Sequence, residues 1–309
     1  MNEVTAGKYA DHPLIKAVYR PPFIGIMAFV AVLLIIPIAH SIMILIEDIF
    51  GEKNRYLASF VMGAVGIYIL WIGVKLRKEA IGTWLGFFSG TLLWTTWVEF
   101  CFMFYGRVLY GVPVQVRGGE VLQEPEYLLM ATSMGILMTC FFFFLFNKDT
   151  QCHFFLWFHR HLKMNMGTRS SGRDRNVAAI TFMETVFITW FFYVAQLTIY
   201  DPALIGYRHW VAYAAFFICL VWGLYLFLRL IKYRRVSSAV RYAIPTSIIL
   251  WCDVEFMGRW GLLREVWVEP GKFILECTLI VVGCIVVTIL TARSPKKPSE
   301  LEASDKRSL

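Results

Sequence analysis

The second half of the chain repeats the first half in register, 157 residues later. When residues 56–94 are aligned with residues 213–251 without gaps, nine positions are identical. The first-half members of these pairs are Tyr56, Ala58, Phe60, Gly66, Tyr68, Lys75, Arg77, Leu93 and Trp94. Two unrelated apolar segments of this length would share roughly three residues through their biased composition alone. The repeat predicts two related halves that pack as a pseudo-symmetric pair, with the working site between them.

The apolar stretches between the charged loops are long enough to cross a membrane. Hydrophobic residues make up 58% of the chain and charged residues 17%, which excludes an ordinary soluble domain. A span needs roughly 20 helical residues. Eight stretches qualify: 22–46, 56–76, 80–105, 127–147, 177–199, 209–231, 238–260 and 272–292. The expected fold is an all-α integral membrane protein, with eight transmembrane helices arranged as two parallel four-helix repeats.

These spans divide the chain into five regions. Residues 1–21 form a cytoplasmic N-terminal segment, and residues 22–147 and 177–292 form the two repeats. Residues 148–176 form a cytoplasmic linker that opens with an aromatic and basic stretch, which favours a helix lying flat at the membrane surface. The charged tail, residues 293–309, is expected to be disordered.

Basic residues alternate between the two ends of the predicted spans. Of the 30 lysine and arginine residues, 22 fall on one side, which the positive-inside rule assigns to the cytoplasm. Both termini are therefore predicted to be cytoplasmic, in a multi-pass protein of the plasma (inner) membrane. The net charge of +8 comes from short clusters beside the spans, so we expect contact with the lipid bilayer and not with nucleic acid.

Small residues recur at four-residue spacing on the third and seventh spans. The rows are Gly82, Gly86 and Gly90, and Ala239, Ala243 and Ser247. Rows of this kind let helix backbones approach closely in a bilayer. The pattern predicts that the third and seventh spans pack centrally against each other through these residues.

Four carboxyl groups lie at similar depth in the outer half of the predicted bundle: Glu99, Asp253, Glu255 and Glu276. An ionisable residue in hydrocarbon costs about 3 kcal/mol on insertion scales, so these positions indicate a site. Glu99 and Glu255 each belong to a Val-Glu-Phe sequence just after the repeat-matched tryptophan. The four carboxyl groups are the predicted ligand- or ion-binding residues. The repeat-matched Arg107 and Arg264 are predicted to tune their charge at the mouth of the site.

The register of Glu99 poses a geometric problem. Glu99 lies one residue beyond the four-residue row that Glu255 continues, so a regular helix turns it about 100° away. Either the Val-Glu-Phe match is a coincidence, or the third span holds an extra residue as a π-bulge between Trp94 and Glu99. Asp253 and Glu255 are two residues apart, so they cannot both face Glu99 on a regular helix.

Three interpretations of these acids remain open. Each acid could be neutralised by an arginine, Glu255 by Arg259 and Glu99 by Arg107 through a neighbour or a bend. The acids could instead bind a proton or a cation. They could also bind a divalent metal, with Glu99 and Glu255 as ligands suited to calcium, magnesium or manganese.

Two other polar residues within the spans have simpler interpretations. His40 is interpreted as a packed core histidine, and Glu184 as a residue that bonds neighbouring helices. No histidine or cysteine pattern in the chain matches a known metal or nucleophile motif.

The leading hypothesis is a transporter-like membrane protein that binds a cation or small polar solute at the acidic site between the repeats. The first alternative is a non-catalytic subunit of a larger membrane complex, suggested by aromatic lipid-facing surfaces and the outer loop 112–126. The second alternative is a membrane enzyme with a carboxylate-bound metal. No catalytic residue is assigned, and the sequence leans away from catalysis.

Overall fold

The structure, a computed structural model, describes residues 20–76, 79–109, 111, 115–117, 120–123, 133–150, 152–168, 176–202 and 204–292. Its helices are α1 (Phe23–Gly51), α2 (Lys53–Lys75), α3 (Glu79–Leu109), α4 (Met134–Leu145), α5 (His153–His161), α6 (Val177–Tyr200), α7 (Trp210–Leu230), α8 (Val236–Arg259) and α9 (Ile274–Ala292). Strands β1 (Gln115–Arg117) and β2 (Glu120–Gln123) pair as an antiparallel hairpin.

The first two helices form one helical stretch, Phe23–Lys75, that bends at Gly51. Gly51 has φ 63° and ψ 179°, a conformation that glycine adopts without the steric penalty of a Cβ atom. The bend separates α1 from α2 and so turns one long apolar stretch into two spans, as the sequence predicts.

Among the described residues, six helices are long and apolar enough to cross a bilayer: α1, α2, α3, α6, α7 and α9. Helix α8 has 24 residues but carries polar and charged side chains, and more than half of its residues are buried. Helix α4 has 12 residues and begins after Ser133; residues 127–132 of the predicted span 127–147 lie outside the described residues. Six such spans make the chain an all-α, multi-pass membrane protein; the count of eight stays a prediction.

The outer surface of the bundle is apolar. On α7, Ile218 and Val221 are 64% and 68% exposed, and on α9, Leu275 and Leu279 are 67% and 62% exposed. A contiguous surface of this kind is unfavourable in water but matches the polarity of lipid tails. These faces therefore fit contact with the lipid bilayer.

Parts of the predicted layout lie outside the described residues. These parts are residues 1–19, the linker segment 169–175, the tail 293–309 and most of the outer loop 112–126. Within the linker, α5 begins and ends inside the aromatic stretch where the sequence predicts a helix.

The two rows of small residues pack against different neighbours from those predicted. A Cβ atom on Gly86 would overlap the carbonyl oxygen of Ala178, which lies on α6. On α8, the Ser247 Oγ donates to the carbonyl oxygen of Phe29 on α1, 3.4 Å away. The predicted packing of one small-residue row against the other is therefore wrong. The glycine row lies against α6, because that helix occupies the position beside α3.

Residues Ala239 and Ala243 belong to the largest buried apolar cluster, where α1, α3 and α8 meet. Ala28 of α1 and Trp84 and Phe87 of α3 are in the same cluster. On α1, α3 and α8, these residues lie before or at the start of the stretches that line the cavity described below, so the helices pack tightly beside the cavity on the side of their N-terminal ends.

We expect Gly86→Ala to destabilise the protein by roughly 1–3 kcal/mol, because its methyl group would force α3 and α6 apart. Gly82→Ala is the matched control. A Cβ atom at Gly82 comes no closer than 3.7 Å to another atom, and alanine favours a helix over glycine by about 1 kcal/mol. Thermal unfolding in mild detergent should lower the Tm for Gly86→Ala only. Equal losses for both variants would contradict the close contact with α6.

Candidate functional site

A cavity lies among the four central helices α1, α3, α6 and α8. The volume open to the centre of a water molecule is about 80 Å³, which is enough for several water molecules. Its polar lining residues are His40, Thr91, Thr95, Glu99, Thr189, Tyr193, Gln196, Cys252 and Glu255. Two of the four predicted carboxyl groups, Glu99 and Glu255, thus line the same cavity.

A π-helical turn brings Glu99 to this cavity. Residues Trp94–Glu99 form a π-helix within α3. Of the two alternatives for the register of Glu99, the one with an extra residue between Trp94 and Glu99 is therefore confirmed. The wider turn changes the rotation of every residue after Trp94, which places Trp94 and Glu99 on the cavity wall together. A second π-helical segment, Phe104–Leu109, follows toward the end of α3.

The Glu99 carboxylate is enclosed and held by a residue of α6. Glu99 is 7% exposed, and its Oε1 accepts a hydrogen bond from the Tyr193 hydroxyl at 2.9 Å. The Tyr193 ring also packs against the Trp94 ring, with their centroids 5.8 Å apart. Helix α6 therefore supplies a neutral donor that orients the carboxylate on α3.

The Glu255 carboxylate has a comparable arrangement on α8. Its Oε1 accepts a hydrogen bond of 2.7 Å from Nε1 of Trp251, one turn earlier on the same helix. Nε2 of His40, on α1, lies 3.8 Å from the same oxygen. Among the described residues, Arg259 forms no ion pair with Glu255, which was one of the three interpretations; its guanidinium lies over the ring of Tyr200, 5.1 Å from the centroid.

The sequence interprets His40 as a packed core residue, and in the structure its partly buried side chain also lines the cavity. Nδ1 of His40 lies 3.2 Å from the carbonyl oxygen of Ile36, which can only accept a hydrogen bond. Nδ1 therefore carries a proton, and Nε2 is the atom that faces Glu255. A doubly protonated ring would form an ion pair with that carboxylate.

The other predicted site residues lie elsewhere. Asp253 is 3% exposed but does not line the cavity, and neither of its carboxylate oxygens has a hydrogen-bond partner among the described residues. Glu276 is exposed in the first turn of α9. Arg107 lies 3.6 Å from Glu47, and the Arg264 guanidinium lies 4.4 Å from the ring centroid of Phe273.

The divalent-metal hypothesis gains no support from the geometry. Within the described part of the chain, no three His, Cys, Asp or Glu side chains gather closely enough to hold a metal ion. Glu99 and Glu255 are oriented by Tyr193 and Trp251, and their lining of one cavity does not by itself make a ligand set.

An ion pair joins α6 and α8 away from the cavity. Nη2 of Arg241 lies 2.7 Å from Oε2 of Glu184, and both side chains are largely buried. Glu184 therefore connects two helices, in keeping with the interpretation as a helix-bonding residue. The arginine partner is the feature that the sequence did not identify.

The loop between α8 and α9 packs on the C-terminal part of α8. The Ser41 hydroxyl of α1 donates to the carbonyl oxygen of Trp267, and the Trp267 ring packs on Trp251 with centroids 4.8 Å apart. In the same loop, burial raises the pKa of Glu265 above its ordinary value, and the nearby Glu255 carboxylate raises it further. Through Trp251 and Glu255, this loop is coupled to the cavity wall.

Several residues of the site could not be identified from the sequence. Tyr193 and Gln196 lie in an apolar segment with no motif, and Gln196 donates to the Tyr200 hydroxyl at 3.1 Å and the carbonyl oxygen of Cys252 at 3.3 Å. The sequence feature that could have located the cavity wall is the repeat-matched pair Trp94 and Trp251, since both side chains line the cavity.

Comparisons with known proteins give no match: no protein-family model fits the chain, and no curated protein or solved structure is significantly similar to it. The cavity and its side chains are therefore the basis for the functional proposal.

We expect Asp253→Val to stabilise the protein by about 1–3 kcal/mol, because it removes two buried oxygens that have no described partner. Thr246→Val on the same helix is the matched control. The Thr246 hydroxyl is equally buried but donates to the carbonyl oxygen of Tyr242 at 2.7 Å, so its loss brings no such gain. Thermal unfolding in detergent measures both variants. A lower Tm for Asp253→Val than for Thr246→Val would mean that the carboxyl group stabilises the fold.

Proposed function

We propose that this chain is a transporter-like membrane protein that binds a cation or small polar solute in the cavity between its two halves. The observation that carries the proposal is that Glu99 and Glu255 line one cavity, each with a hydrogen bond from a neutral donor. Carboxylates are costly inside a bilayer and mark substrate or ion pathways when they face an internal cavity.

The proposed architecture is the duplicated bundle of eight spans. In support, the third helix of each half contacts the first helix of the other half: Gly86 lies against Ala178, and Ser247 bonds to Phe29. The carboxylates of the cavity also contact residues of the opposite half. Glu99 on α3 is held by Tyr193 of α6, and Glu255 on α8 faces His40 of α1. A pseudo-two-fold axis through the cavity would relate these contacts.

The proposed orientation places both termini on the cytoplasmic side of the plasma (inner) membrane, with ligand entering from the outer side. The distribution of basic residues supports the orientation. On the cytoplasmic side of the cavity, Ala28, Ala239 and Ala243 are fully buried, and the Glu184–Arg241 pair joins α6 to α8. This packing supports a cavity that is closed toward the cytoplasm.

Ligand-dependent thermal stability tests the proposal. We expect at least one of NaCl, KCl, choline chloride and serine to raise the Tm of the detergent-purified protein by a few degrees at saturating concentration, since a bound ligand stabilises the folded state. Glu99→Gln and Glu255→Gln should each remove the shift. Glu269→Gln is the control, because Glu269 is exposed and pairs with Lys272 at 3.2 Å.

Uptake of the same solute into proteoliposomes would then test transport. A Tm shift that survives both cavity substitutions would contradict the assigned site. Purification from native membranes with stoichiometric partner proteins, and no solute effect, would favour the alternative role as a subunit of a membrane complex.

A further inference from the structure

We propose that the ligand of this cavity is a small organic ammonium ion, held by aromatic rings and by the carboxylates of Glu99 and Glu255. This inference rests on the proposed function and narrows its ligand class. It follows from three properties of the lining: its aromatic rings, its charge, and the absence of a metal-like cluster of ligands.

The aromatic rings come from three of the four helices around the cavity. Phe87 and Trp94 belong to α3, Phe192 and Tyr193 to α6, and Trp251 to α8. The faces of such rings attract cations, most strongly for tryptophan, and the attraction grows when water is excluded. Because these rings come from three helices that line one cavity, a cation bound there would lie near rings from more than one helix.

The charge of the lining favours a cation over an anion. Among the described residues that line the cavity, Glu99 and Glu255 are the acidic ones and none is lysine or arginine. The Tyr193 hydroxyl donates to Glu99 and the Trp251 indole donates to Glu255, and both of these donors are neutral; Nε2 of His40 lies 3.8 Å from Glu255. A cavity lined by acidic side chains attracts cations and repels anions.

The arrangement of oxygen atoms favours an organic cation over a bare metal ion. Hard cations such as Ca²⁺ and Mg²⁺ need about six or more converging oxygen atoms at roughly 2.0–2.6 Å. The described residues contain no cluster of three acidic, histidine or cysteine side chains that could begin such a shell. The cavity instead adds apolar walls, including Val32, Ile36 and Ile248, which can pack against the carbon atoms of a substituted ammonium ion.

Isothermal titration calorimetry on the purified full chain tests this inference with two ligands of the same shape. Choline carries the charge, and 3,3-dimethylbutan-1-ol is its neutral isostere. We expect choline to bind with a Kd about tenfold or more below that of the alcohol, since a desolvated cation–π contact contributes on the order of that factor. Tetramethylammonium should bind in the same way.

The aromatic contribution is tested with Trp94→Leu, which should weaken choline binding about tenfold. Trp84→Leu is the matched control: Trp84 is a buried tryptophan on the same helix, but it does not line the cavity, so the Kd should stay unchanged. If Trp94→Leu fails to fold, Trp94→Phe retains a ring of weaker cation affinity and should raise the Kd by a smaller factor.

Three results would overturn the inference: equal affinity for choline and its neutral isostere, no binding of either ammonium ion, or a Kd that Trp94→Leu and Trp84→Leu change alike. A shift in Tm with NaCl, KCl or serine that depends on Glu99 and Glu255, without ammonium binding, would overturn the ligand class alone. Absence of any solute effect would overturn the proposed function as well.

Discussion

The arrangement of the helices follows from the need to keep polar groups away from lipid. In hydrocarbon, a polar side chain must find its partner within the protein. Helix α8 carries Arg241, Asp253 and Glu255, and more than half of its residues are buried. The predominantly apolar α7 and α9 lie at the outside, where 11% of the residues in the apolar window of each helix are buried. For these three helices, polarity matches position: the helix with several charged side chains lines the cavity, and the two apolar helices face outward.

The same constraint applies to the two cavity carboxylates, each of which accepts a hydrogen bond from another side chain of the protein. A regular helix turns Glu99 away from the cavity, and the π-helical turn Trp94–Glu99 returns it to Tyr193. Glu255 needs no such turn, because Trp251 precedes it by four residues and bonds to it directly. One local irregularity thus brings the two carboxylates, on different helices, to the same cavity.

The sequence predicted what depends on composition and spacing, and failed on what depends on neighbours. Apolar length located the helices, and the register of Glu99 against the glycine row correctly raised the π-bulge as one alternative. The glycine row itself carried no information on its partner, so α8 was predicted where α6 is found. The contacts of Tyr193 with Glu99 and of His40 with Glu255 were not predicted for the same reason. Each contact joins residues more than 90 positions apart in sequence.

The two proposed repeats differ at positions beside the cavity. Asp253 corresponds to Thr96 at the 157-residue offset, and both side chains are buried. Thr96 donates to the carbonyl oxygen of Leu92 in its own helix, at 2.7 Å, whereas the Asp253 oxygens have no described partner. On the cavity wall, one carboxylate faces a phenol and the other faces an imidazole. In the proposed site, a ligand between the two carboxylates would meet two unequal ends, so the proposed duplication would give a single asymmetric site in place of two equivalent ones.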